Sequence, residues 1–232
     1  MYEYLLGGIC FLIIISFGIV YFYKRERKER KKFFLSQVFI IVIFSVTCYM
    51  IDLVNQQYNE TKLFFTLAIM FSFLGDLLMD QRVILTGIKI VDGFTGFSIA
   101  HILYITGMIL WLKENELKIN TQFYIILIGT VLLLLGGYLL TAFNFEKKIF
   151  KFIGLFYALL IGTSLFFALI IGTWIKLAAA KIVMVGVILF FTSDLILAFR
   201  EAKKPDFNLD YFIHNTYVLG QFLIQAGIFV FF

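Results

Sequence analysis

Long apolar runs, some reaching the roughly 20 residues needed to cross a hydrocarbon layer, constrain this chain more than any other feature. The first is "YLLGGICFLIIISFGIVYFY", and similar runs recur to the C-terminus. Within 232 residues, 62% are hydrophobic and 15% charged, with 30 Phe, 12 Tyr and one Pro. A single soluble core of this size cannot hide that much apolar surface. A closed barrel would need short segments of alternating polarity, and these runs are continuous. The expected fold class is all-α, a polytopic membrane helix bundle forming one domain. Eight spans are read at about 2–23, 33–51, 61–79, 93–112, 121–142, 150–172, 176–199 and 211–231.

The formal charge of +5 is no nucleic-acid signal, because the basic residues lie between the hydrophobic runs. They are unevenly shared. The run at 24–32 holds Lys24, Arg25, Arg27, Lys28, Arg30, Lys31 and Lys32. Connections on the same side add Arg82, Lys89, Lys147, Lys148, Lys151, Arg200, Lys203 and Lys204, fifteen of the twenty Lys and Arg in all. By the positive-inside rule that side is cytoplasmic, and both termini face away from it in a cell (inner) membrane. The first run lacks a basic leader and reads as a retained span rather than a signal peptide. Cys10 and Cys48 sit in apolar spans and read as small buried hydrophobes. Trp111 and Trp174, near span ends, read as interfacial anchors. The connection "DQRVILTGIKIVD" at 80–92 is too apolar for a solvated loop, so it lies in the interface or dips back into the bundle.

Two aspartates stand inside spans: Asp76 in "FFTLAIMFSFLGDLLM" and Asp194 in "VMVGVILFFTSDLILAF". A carboxylate in hydrocarbon costs a few kcal/mol, so each is a functional-site candidate. Asp76 precedes Asp80 by four residues, Asp194 precedes Arg200 by six, and His101 lies about eight residues into its span. At about 1.5 Å per residue all three fall roughly 6–12 Å below one membrane boundary. His214, Tyr217, Gln221 and Gln225 share a face of the last span, and Phe97, His101 and Tyr104 a face of the fourth. Such faces turn inward, which implies one shared pocket. His214, close to a span boundary, reads as interfacial, and Gln221 and Gln225 can serve as interhelical bonds. No serine-hydrolase elbow, zincin, paired-cysteine, Walker or dinucleotide motif is present, so no cofactor or metal is expected.

"FLGDLLM", "GFSIAHILY", "FFTSDLILA" and "YVLGQFLI", in that order, resemble the YhhN family of integral membrane proteins, which includes lysoplasmalogenases. The resemblance spans roughly 60–231. It implies hydrolysis of the vinyl ether bond of lysoplasmalogens to a fatty aldehyde and a glycerophospho-headgroup. On that resemblance Asp76, Asp194 and His101 are the catalytic candidates, and Tyr104, Ser193, Tyr217 and Gln221 the substrate-binding ones. The implied partners are a lysophospholipid substrate and membrane lipid, with no nucleic acid. Family members often carry Lys-Pro early in the second span. Here "KKFFLSQVFIIV" has no proline, leaving Lys31 or Lys32 for a phosphate-facing role. Two other readings compete. "FLGD" is similar to the Gly-x-Gly-Asp motif of intramembrane aspartyl proteases, but Phe73 replaces the first glycine and the only proline is Pro205. A proton-coupled carrier could use the same Asp and His groups as a relay, although no inverted repeat is visible.

Overall fold

In hydrocarbon each backbone N–H and C=O must be paired within its own segment, so an apolar run with almost no proline becomes a helix. The computed structural model describes residues 2–23, 27–116, 123–131, 135, 148–203 and 209–232. Among the described residues the chain is all-helical, with no strand. The helices are α1 (Tyr2–Tyr23), α2 (Arg27–Val54), α3 (Glu60–Met79) and α4 (Lys89–Glu114). A fifth, α5, is described over 123–131. Then come α6 (Lys148–Trp174), α7 (Ala178–Lys203) and α8 (Asp210–Val230). Lys24, Arg25, Lys118, Lys147, Lys204 and most of the expected fifth span lie outside the described residues.

Five of these helices are long and apolar enough to cross a membrane: α2, α3, α4, α6 and α7. The chain is an integral membrane protein. Helix α8 is long enough, at 21 residues, but His214, Asn215, Gln221 and Gln225 dilute its apolar character.

Several boundaries differ from those the sequence suggests. Residues 27–32 of the basic run already belong to α2, which begins at Arg27 rather than near residue 33. Lys, Arg and Glu are strong helix formers, so the helix runs on beyond the apolar stretch. Residues 81–88 of the 80–92 connection do not enter the bundle. Residues 81–88 are exposed, with Ile84 and Leu85 turned outward. They fold around Asp92, whose carboxylate accepts from the amides of Leu85 (3.2 Å), Thr86 (2.8 Å) and Gly87 (3.2 Å) and from the Thr86 hydroxyl. That arrangement lets α4 start at Lys89, four residues earlier than expected. Trp111 is not an interfacial anchor. It is fully buried, edge-on to Phe232 at 4.9 Å, and its indole N–H has no partner among the described residues.

Among the described residues the most extensive helix pairs are α3 with α4 and α7 with α8, and both close on glycines. At the first crossing a Cβ on Gly96 would stand 2.6 Å from the Gly75 Cα. At the second a Cβ on Gly220 would stand 2.8 Å from the Gly186 carbonyl oxygen. Small residues let backbones approach where packing, rather than expulsion of water, holds helices together. Helix α8 also touches α1, α2 and α3, so its polar face lies inside the bundle. At the far end of α2, Lys62 bonds the buried Asp52 at 2.9 Å and lies 5.8 Å over the Phe229 ring. This partly buried pair joins α2 to α3 away from the polar cavity.

Candidate active site

A cavity of about 150 Å³ opens between α2, α3, α4, α7 and α8 at the end of the bundle that carries Lys31, Asp80 and Arg200. Asp76 and Asp194, 6% and 3% exposed, form its deep part together with Ser193, His214 and Tyr217. Its outer part carries Arg30, Lys31, Asp80, Lys89, Arg200 and Asp210, and Phe34, Leu35, Met79, Phe97, Leu197 and Ile213 supply apolar walls. The cavity is therefore amphipathic along its depth: charged at the mouth, apolar at the sides, acidic at the floor.

Each floor carboxylate is held by a tyrosine. Tyr217 on α8 donates to Asp76 Oδ2 at 2.8 Å. Tyr157 on α6 donates to Asp194 Oδ2 at 2.9 Å. Asp194 Oδ2 takes a second bond from His101 Nε2 at 3.2 Å. A carboxylate only accepts, so Nε2 carries the imidazole hydrogen and Nδ1 accepts from the Ser164 hydroxyl at 2.9 Å. The imidazole also stacks on Phe190 at 4.9 Å. These contacts fix Asp194 through its Oδ2 and leave its Oδ1 without a bond to any described residue.

Ser164, His101 and Asp194 thus stand in the order of a hydrolase triad. Ser164 does not line the cavity, however, and its hydroxyl is committed to the imidazole. A nucleophile that cannot meet substrate has no turnover to support. Ser164→Ala should therefore retain at least about a third of turnover, whereas Tyr157→Phe, which strips a direct donor from Asp194, should lower kcat by about tenfold. Steady-state rates on purified variants check both. A dead Ser164→Ala protein of unchanged melting temperature would restore the triad reading.

The structure gathers Asp76, Asp194, Ser193 and Tyr217 around one space, and it sets His101, Tyr104 and Gln221 behind the wall. Ser193 turns its hydroxyl to the Ile213 carbonyl at 2.9 Å. Tyr104 donates to Gln221 Oε1 at 2.6 Å, and Gln221 Nε2 donates to Ser72 at 3.2 Å. Gln225 donates to Tyr104 at 3.1 Å and to the Phe65 carbonyl at 3.3 Å, and accepts from Ser45 at 3.1 Å. This buried network joins α2, α3, α4 and α8 and satisfies the amide groups of both glutamines. His214 is not interfacial. It lines the cavity, lies tilted against Phe34 at 4.5 Å between ring centres, and its Nε2 bonds Gln37 Oε1 at 2.7 Å, while Gln37 Nε2 is bound to the Ile14 carbonyl at 2.8 Å.

Sequence reasoning missed Tyr157, Gln37, Arg30 and Lys89. Tyr157 is one of twelve tyrosines and sits in a strongly apolar span, so nothing local marks it. Of the two lysines considered for a phosphate, Lys31 lines the cavity and pairs with Asp80, whereas Lys32 pairs with Glu29 at 3.1 Å. Arg200 pairs with Asp210 on α8 and leaves Asp194 to its hydrogen bonds.

Burial works to raise the Asp80 carboxyl, but hydrogen bonds from Lys31 and Arg82, with their charges, hold it below its ordinary value of 3.8. A carboxyl lowered in the folded state adds stability above its unfolded pKa and loses it as pH falls through the folded one. Asp80→Asn should therefore lower stability by about 1 kcal/mol or less at neutral pH, with the deficit closing below about pH 4. Thermal unfolding at both pH values measures this, and a deficit that widens in acid contradicts it.

A family model described as the YhhN family matches residues 32–228, most of the chain. The chain belongs to the YhhN family. The YhhN match contains every floor group of the cavity and the four motifs on α3, α4, α7 and α8. Arg30 and Lys31, at the mouth, precede its first matched residue. No curated protein and no solved structure matches the chain.

Proposed function

We propose that this YhhN protein is an intramembrane hydrolase that cleaves the vinyl ether bond of lysoplasmalogens. Membership of the family is consistent with a hydrolase. The observation that carries the reading is the pair Asp76 and Asp194 on the floor of a cavity with apolar walls and a basic mouth. A single-chain lipid matches that order of surfaces, with its headgroup at the mouth and its tail among the helices. The eight-span topology, with the mouth at the cytoplasmic face and both termini opposite, belongs to the same proposal and rests on the Lys and Arg bias.

Vinyl ether hydrolysis needs a proton on carbon and then water on the resulting cation. Asp194 accepts two hydrogen bonds on one oxygen, which stabilises its charge, whereas Asp76 accepts one. Asp76 is therefore the acid and Asp194 the carboxylate. Asp76 protonates the outer vinyl carbon, and the carbon attached to oxygen becomes an oxocarbenium ion facing Asp194. Asp194 removes a proton from water as its oxygen adds to that carbon, giving a hemiacetal. The carbon–oxygen bond to glycerol then breaks, yielding aldehyde and a glycerol hydroxyl, and the proton taken by Asp194 is returned to Asp76 through solvent. One water is consumed. The division of labour parallels the paired carboxylates of glycosidases. His101, donating to Asp194 from behind, is a positioning residue.

The test is aldehyde release from a lysoplasmalogen by purified protein in detergent or bilayer discs. No aldehyde from any alkenyl lysolipid overturns the reading. pH-gradient-driven uptake into liposomes without hydrolysis would assign the same carboxylates to a carrier.

A further inference from the structure

The mouth of the cavity carries four cations, Arg30, Lys31, Lys89 and Arg200, and two outer carboxylates, Asp80 and Asp210. Their pairing is unequal. Asp80 takes Lys31 and also Arg82 at 3.0 Å, and Asp210 takes Arg200. Asp92, three residues after Lys89 and its natural helical partner, is filled by the three loop amides and the Thr86 hydroxyl. Lys89 therefore lines the cavity with no carboxylate engaging its ammonium group among the described residues. The charge at the mouth is in excess by design of the loop, because Asp92 is spent on backbone rather than on Lys89.

We propose that Lys89 is the phosphate anchor of this cavity, holding the phosphodiester of a single-chain lipid while the floor carboxyls meet the bond next to glycerol. The assignment deepens the hydrolase reading above and rests on it for the lipid's class. Gly96 crosses Gly75, beside Asp76, so Lys89 starts seven residues, about 10 Å of helix rise, above that level. From phosphorus to the oxygen at the first glycerol carbon there are five bonds, roughly 6 Å when extended. A charge-assisted hydrogen bond of about 2.8 Å at the ammonium end completes the span. An ammonium is a compact point charge on a flexible stem, and its stem can follow the apolar wall downward. Neutral ether lipids lack the group that Lys89 would hold.

Binding to the full chain in bilayer discs tests this with two saturated probes, a 1-O-alkyl-glycerophosphoethanolamine and a 1-O-alkylglycerol. Neither has a vinyl ether, so the outcome is independent of whether the protein releases aldehyde. Lys89→Gln should weaken the phospholipid by about tenfold and leave the alkylglycerol unchanged. Lys89→Arg should restore binding to within about twofold, and Lys32→Gln, whose lysine is bound to Glu29, should bind as the parent does. Equal affinity of Lys89→Gln and the parent for the phospholipid overturns the proposal. So does inorganic phosphate displacing the phospholipid at equal concentration, which would identify a free-anion site instead of a headgroup site.

Discussion

Asp194→Asn should lower lysoplasmalogen turnover by about 10²–10⁴-fold, the range that general acid–base groups contribute, while the protein keeps its fold. The amide matches the carboxylate in shape, and its oxygen can still accept from Tyr157 and His101, which lie 2.9 and 3.2 Å from Oδ2. What disappears is the negative charge facing the cavity and the ability to take a proton from water. Asp76→Asn should be equally damaging for a different reason. Its oxygen still accepts from Tyr217, at 2.8 Å from the carboxylate, but it has no acidic proton to give the vinyl carbon. Because the proposed mechanism uses the two groups in one reaction, the double variant should be little worse than either single one. Melting temperatures close to the parent's would show that chemistry, not folding, was lost. Full turnover by either variant would end the two-carboxylate mechanism.

Gly96→Ala should cost stability on a scale of about 1–3 kcal/mol or more, although it adds one methyl group. The new Cβ would stand 2.6 Å from the Gly75 Cα and 2.8 Å from its nitrogen. Both are backbone atoms of a paired helix and cannot turn aside as a side chain could, so α3 and α4 must separate. Asp76 follows Gly75 directly, so the same separation shifts the floor of the cavity and turnover should fall with stability. Gly8→Ala is the matched control, because nothing lies within 4 Å of a Cβ there. Thermal unfolding in one detergent compares the two. An unchanged melting temperature for Gly96→Ala would contradict a backbone contact at this crossing.

Much of the site is legible in the sequence. A carboxylate in an apolar run stands out because hydrocarbon tolerates so few, and helical rise alone put Asp76, Asp194 and His101 at one depth. The polar face of α8 was legible through its spacing, and Tyr217 and His214 both reach the cavity. Depth and face do not say which groups touch the open space. Tyr104 and Gln221 lie at suitable positions on their helices yet spend their bonds on each other, on Ser72 and on Gln225. Tyr157 was invisible because a tyrosine in a Phe-rich span carries no local mark. The resemblance to the YhhN family, carried by four short motifs, did hold across residues 32–228.

The sequence by itself determined that the chain is helical, membrane-embedded and equipped with two costly carboxyl groups. These follow from local quantities: run length, hydropathy, and the price of a charge in hydrocarbon. The tertiary structure decided everything that depends on rotation and closeness between helices. It set Gly75 against Gly96 and Gly186 against Gly220, placed a tyrosine on each aspartate, and used Asp92 to tie the loop, leaving Lys89 with no carboxylate among the described residues. Those choices are pairwise, between residues up to 141 positions apart such as Tyr217 and Asp76. No local pattern encodes them, because a helix face specifies direction but not the partner that will fill it.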